Sequence, residues 1–183
     1  MLTYNLIRSN RRTIAIELCH GEIIVRAPAY ATKDQIDAHV RSREQWIRKH
    51  QQDLEQKLQN LPPVQKLSTE EIQVLAEQAM QTIPPRVAHY ARLLGVTYGR
   101  ITIRKQRTRW GSCSSKGNLN FNCLLMLTPP EVLDCVIVHE LCHRKEMNHS
   151  ERFYREVLKA YPDYCRWDKW LKENGELVMM KMG

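Results

Sequence analysis

Thr128-Pro129-Pro130-Glu131-Val132-Leu133-Asp134-Cys135-Val136-Ile137-Val138-His139-Glu140-Leu141-Cys142-His143 is the stretch on which the reading of this chain turns. Thr128, Pro129 and Glu131 spell a helix start, with Thr128 as N-cap, Pro129 in the first turn and Glu131 completing a capping box. Val132 to Val138 is apolar nearly all round apart from Asp134, so the helix is expected to be buried. It then delivers His139, Glu140 and His143. Residues four apart share a helix face, with Cβ atoms about 5–6 Å apart, so two imidazoles at that spacing can reach one zinc ion. Glu140 stands about 60° round the helix from His143 at ~100° per residue. It flanks a metal there without binding it, the place for a general base acting on metal-activated water. Without a metal, two histidines and a glutamate on so apolar a helix would carry a burial cost of several kcal/mol.

Zinc needs a third protein ligand, and a catalytic site leaves the fourth position open. His149 is the candidate. It lies too far round to continue the same helix face, so the chain must turn. Ser150 then N-caps a helix from Glu151 to about Lys159 whose Phe153, Val157 and Leu158 face the core.

Upstream, Arg100 to Gln106 reads as a strand, Thr108 to Gly117 as a polar loop, and Asn118 to Leu127 as a second strand. A helix starts at Ser68 or Thr69, is interrupted at Pro84-Pro85 and resumes to Leu94, with Gly95 as C-cap. Near the N-terminus, Thr13–Leu18 and Glu22–Arg26 form a hairpin across His20-Gly21. Thr32 and Gln35 make a capping box for one helix running to about Gln59. Leu61-Pro62-Pro63 breaks the chain. The domain division expected is 1–62, a hairpin and helix belonging to the same unit, and 63–183, the helix, sheet and zinc-binding core. Downstream, Trp167, Trp170 and Leu171 belong to a C-terminal helix ended by Gly175.

These segments resemble the YgjP-like metallopeptidase family, relatives of the SprT-like and Spartan-type zinc proteases. The resemblance runs through Arg109-Trp110-Gly111-Ser112-Cys113, Asn118-Leu119-Asn120-Phe121-Asn122, the Thr128 helix start and His139-Glu140-Leu141-Cys142-His143. It continues through His149-Ser150, Phe153, Tyr161-Pro162-Asp163-Tyr164 and Trp170-Leu171. It implies an α+β zincin-like domain with a small mixed or antiparallel sheet and a buried H-E-x-x-H helix. It also implies zinc held by His139, His143 and His149, with Glu140 as base. Beside the metal it points to Arg107, Arg109 and Trp110 as a substrate-binding rim. The histidine spacing also matches metzincins, but Glu146 stands where those have a glycine and no Met-turn follows.

The remaining composition sets the context. Lys and Arg number 28 against 20 Asp and Glu, a formal charge of +8, which favours acidic partners such as nucleic acid or nucleotides. Arg104, Lys105, Arg107 and Arg109 are the candidate contacts. The N-terminus has no secretory signature and no run is long enough to span a bilayer, so no membrane partner is expected. Six cysteines without a C-x-x-C pair read as reduced thiols in a cytoplasmic protein. The function expected is zinc-dependent hydrolysis of a protein or peptide substrate. The alternatives are a metal-dependent nucleoside triphosphate hydrolase and a non-enzymatic nucleic-acid-binding zinc module.

Overall fold

The computed structural model describes residues 2–19, 22–59 and 64–182. The chain divides into two compact units, Met1–Val64 and Gln65–Gly183. The His20-Gly21 turn and the Leu61-Pro62-Pro63 break lie outside the described residues.

In the first unit, β1 (Asn5–Ser9) pairs parallel to β3 (Glu22–Pro28), and β2 (Ala15–Cys19) pairs antiparallel to β3 on its other edge. Two helices follow, α1 (Lys33–Ser42) and α2 (Glu44–Gln59), where the sequence predicts one. Thr32 and Gln35 form the expected capping box. The break falls at Arg43. The Ser42 hydroxyl donates to the His39 carbonyl at 2.7 Å, and the Arg43 N–H turns to Val40. A serine side chain has thus taken the acceptor that the next helical N–H would use. Ile23, Val25, Ala27, Ile36, Val40 and Ile47 form this unit's core.

The second unit holds the predicted centre. Its first helix, α3 (Thr69–Leu94), is continuous through Pro84 and Pro85. The prolines remove the donors for the carbonyls of Met80 and Gln81, but both residues lie on the exposed side of the helix, where a missing bond costs least, and the helix persists. Ser68 and Glu71 cap its start, and Gly95 ends it in the left-handed conformation with φ 66°. A three-stranded sheet follows: β4 (Ile101–Arg104) runs parallel to the central β6 (Leu119–Asn122), and β5 (Gly111–Cys113) runs antiparallel to it. β5 lies inside the expected loop. Gly is depleted in strands and three residues are too few to show alternation, so the pairing with β6 is what makes this segment extended.

The strand expected to reach Leu127 ends at Asn122. There the Asn122 side chain accepts from the Leu124 N–H at 3.1 Å, and Cys123–Leu127 winds into a 3-10 turn. Cys123, Leu124 and Leu125 are all buried, a run that a strand alternating between core and solvent cannot bury.

Helix α4 (Pro130–Cys142) has Pro129, not Thr128, at its N-cap. The Thr128 hydroxyl is spent on the Leu125 carbonyl at 2.8 Å, closing the 3-10 turn. Nine of the helix's residues are buried, Glu140 among them, as its all-round apolar pattern requires. Helix α5 (Glu151–Ala160) is capped by Ser150, whose side chain accepts from the Phe153 N–H. Phe153 and Val157 are buried, whereas Leu158 is exposed because it lies about 100° round from Val157. Helix α6 (Tyr164–Met180) passes through Gly175 without stopping. A Cβ at Gly175 would lie 3.1 Å from Nε1 of Trp110, so the glycine serves close packing of the indole rather than helix termination. The unit is therefore α+β: a small mixed sheet, a long α3 and a buried α4 around one apolar core.

Candidate metal centre

The last turn of α4 and the N-terminal corner of α5 bring His139, His143 and His149 together. Their ligating atoms all lie within 4.8 Å of one another, the one such cluster of three among the described residues. His139 and His149 approach Nε2 to Nε2 at 3.0 Å. Two nitrogens on a tetrahedral zinc, each ~2.0–2.1 Å from it, stand about 3.3 Å apart, so this pair is close to ligand spacing.

The far side of two rings is already engaged. Nδ1 of His143 faces the Glu146 carbonyl at 3.1 Å. A carbonyl only accepts, so Nδ1 carries the proton and Nε2 keeps its lone pair. Nδ1 of His139 meets the Tyr164 hydroxyl at 2.9 Å. Such outer partners fix the orientation of metal-ligating histidines. Tyr164 is itself buried, at 4% exposure, which holds the hydroxyl in place. The turn after His143 is set by the N–H groups of Lys145 and Glu146, both of which bond back to the Cys142 carbonyl. That turn redirects the chain so that Ser150 can start α5 and His149 can face back towards α4.

Glu140 is the buried carboxyl beside this cluster, at 6% exposure. Burial pushes its pKa up to about 8, opposed by the charge of Arg109 and a hydrogen bond from the backbone of Cys113. Burial likewise drives His139 down to about 3, and its two histidine neighbours add to the effect. The centre thus sets three convergent imidazoles beside a buried carboxyl, a donor set that suits a divalent cation.

The family model for the YgjP-like metallopeptidase domain matches residues 12–78 and 65–174. The chain belongs to the YgjP-like metallopeptidase family. Membership makes it a metal-dependent hydrolase of peptide bonds. None of the curated proteins matches the sequence. Two solved structures are similar to part of it: the metallopeptidase zymogens abylysin of Pyrococcus abyssi and jannalysin of Methanocaldococcus jannaschii. Each is 22% identical with a TM-score of 0.45 and covers 50% of this chain, 94% and 95% of the respective neighbour being matched. Among the described residues of this YgjP-like chain, no helix is long and apolar enough to cross a membrane.

The predicted rim divides. Arg109 and Trp110 line a cavity that His139 and Glu140 also line, whereas Arg107 is exposed and stands outside that lining. Arg104 bonds to the Asn120 side chain and Lys105 to Gln73. Cys113 is half-buried on β5 and Cys142 fully buried on α4.

Three residues near the site are absent from the sequence-based set of candidates. All three stand in the sequence only as members of the resembling segments; Tyr164 carries no local signal because its link to His139 joins positions 25 apart. Gly111 has the backbone against Glu140: a Cβ there would lie 2.7 Å from Oε1 and 2.8 Å from Cγ. Asn122 is fully buried, and its Nδ2 donates to the carbonyls of Gln106 at 2.6 Å and Arg109 at 3.0 Å. It therefore pins the turn that presents Arg109 and Trp110. Asn122→Ala strands the buried Leu124 N–H and removes the bonds to two part-buried carbonyls, and an expected loss of about 1–3 kcal/mol should appear as a lower denaturant midpoint. A change under 0.5 kcal/mol would show that the turn holds itself.

Proposed function

We propose that this metallopeptidase is zinc-dependent, with His139, His143 and His149 as the metal ligands and Glu140 as general base. The observation that carries the reading is the convergence of three imidazoles beside a buried carboxyl that is not one of the cluster. Three nitrogen donors suit zinc better than magnesium or calcium, which prefer oxygen ligands. A bound zinc would supply a Lewis acid that polarises the scissile carbonyl and makes water acidic enough to attack at neutral pH.

The chain's own residues do the rest. Glu140 takes the proton of the attacking water and returns it to the leaving amine nitrogen. Burial holds this carboxyl up at about 8; the charge of Arg109, the backbone of Cys113 and the positive charge that a bound zinc would add all favour the ionised form that accepts the proton. Gly111 leaves room for the carboxyl against β5. Tyr164 and the Glu146 carbonyl hold His139 and His143 in orientation.

The same ligand set weighs against the nucleotide hydrolase reading, since magnesium–nucleotide chemistry relies on carboxylates. Zinc-loaded protein incubated in parallel with an unfolded protein, double-stranded DNA and nucleoside triphosphates separates these readings. Cleavage of the unfolded protein alone, abolished by a chelator, is the expected result. Nucleotide hydrolysis with the protein left intact would overturn it.

A further inference from the structure

The cavity beside Glu140 encloses about 240 Å³. Its walls come from three elements. Helix α4 supplies Cys135 and Val136 below His139 and Glu140; β5 and the residues before it supply Trp110 and Gly111; α6 supplies Tyr164, Asp168 and Leu171. Positions 164, 168, 171 and 175 fall at helical spacing, so they form one stripe along α6. The glycine in that stripe lets the Trp110 indole approach the helix closely, where an alanine Cβ would meet it at 3.1 Å. The indole is thereby fixed as a wall of the cavity.

Three charged groups border this space, and none favours a charged guest. Glu140 is a buried carboxyl that would repel an acidic side chain. Asp168 is already paired with Lys172 at 2.5 Å, which leaves little unpaired charge for a basic side chain. Arg109 is exposed, and its charge acts on Glu140. The rest of the wall is apolar or aromatic. An apolar cavity of ~150 Å³ is already large enough to hold benzene, so this one has room for a phenyl ring or a leucine or methionine side chain.

We infer that this cavity is the specificity pocket of the peptidase and receives a large apolar side chain of a residue flanking the scissile bond. The inference rests on the peptidase reading, because His139 and Glu140 form part of the cavity wall. A side chain seated there delivers the adjoining backbone to the three histidines.

A peptide mixture of diverse sequence, incubated with the zinc-loaded protein and read by mass spectrometry, reports the residues on either side of each cut. Phe, Leu or Met should be enriched at one flanking position at least about tenfold over Gly, Asp and Glu. Two variants then change the pocket. Leu171→Trp fills it and should move the preference towards Ala and Gly, whereas Leu171→Ala widens it and should favour Trp. Cleavage with no enrichment, or a profile identical in wild type and both variants, would overturn the inference and leave the peptidase reading standing. A second arm needs no turnover. Glu140→Gln protein is titrated with N-acetyl-phenylalaninamide and N-acetyl-glycinamide while the Trp110 indole N–H is followed by NMR. A saturable shift with the first amide alone supports the pocket. If it occurs without cleavage of any peptide, it is the peptidase reading that fails. No shift with either amide overturns the pocket.

Discussion

Glu140→Gln should keep its full complement of metal and lose about 10²–10⁴ in kcat, the range that a positioned general base contributes. The substitution is nearly isosteric, which matters where a carboxyl is 6% exposed and the backbone of Gly111 stands against it. An amide fits the same space but has no basic oxygen to take a proton from water. The carboxyl is also outside the histidine cluster, so metal content should not change. Turnover of an unfolded protein, with metal content by elemental analysis on the same sample, measures both halves. A variant that retains most of its activity would remove Glu140 from the base's role. A variant that loses its metal would make it a ligand instead.

His143→Ala should reduce metal from about one ion per chain to almost none, because two imidazoles alone do not complete the protein's share of a tetrahedral site. The same change should remove metal-dependent stabilisation. A ligand that binds only the folded state at 100 times its Kd adds about 2.7 kcal/mol. Wild-type thermal midpoints should therefore rise on zinc addition and those of His143→Ala should not. His143 also caps α4 and donates to the Glu146 carbonyl, so part of the variant's loss is local. His149→Ala is the control: His149 is exposed on the corner before α5, so its loss should cost metal with less effect on the apo-protein. Equal zinc-induced shifts in all three proteins would move the metal elsewhere.

Much of this was legible in the chain because it is local. The H-E-x-x-H spacing, the apolar run before it, the Ser150 cap, the capping box at Thr32 and the helix start at Ser68 all depend on residues within a few positions of one another. Helix periodicity and capping chemistry act over that range, and the three histidines fall within eleven residues of sequence. The misread boundaries share the opposite cause. Thr128 has the right chemistry for an N-cap, but its hydroxyl is claimed by the 3-10 turn that Asn122 initiates. Pro84-Pro85 is a helix breaker by local rules, yet α3 continues because one side of it packs on the core while the residues that lose their donors lie on the exposed side.

By itself, then, the sequence determined the buried helix and the identity of the clustered histidines with Glu140, since each is written in local spacing and burial pattern, while the α+β class was legible through the family resemblance. Tertiary structure alone decided what surrounds them. β5 exists because β6 pairs with it, Tyr164 reaches His139 because α6 packs on α4, and Gly175 continues a helix because Trp110 needs the room. Those are contacts between positions 6 to 65 residues apart along the chain. No propensity or periodicity encodes them; they follow from how apolar faces close around one core and which side chains are then left facing each other.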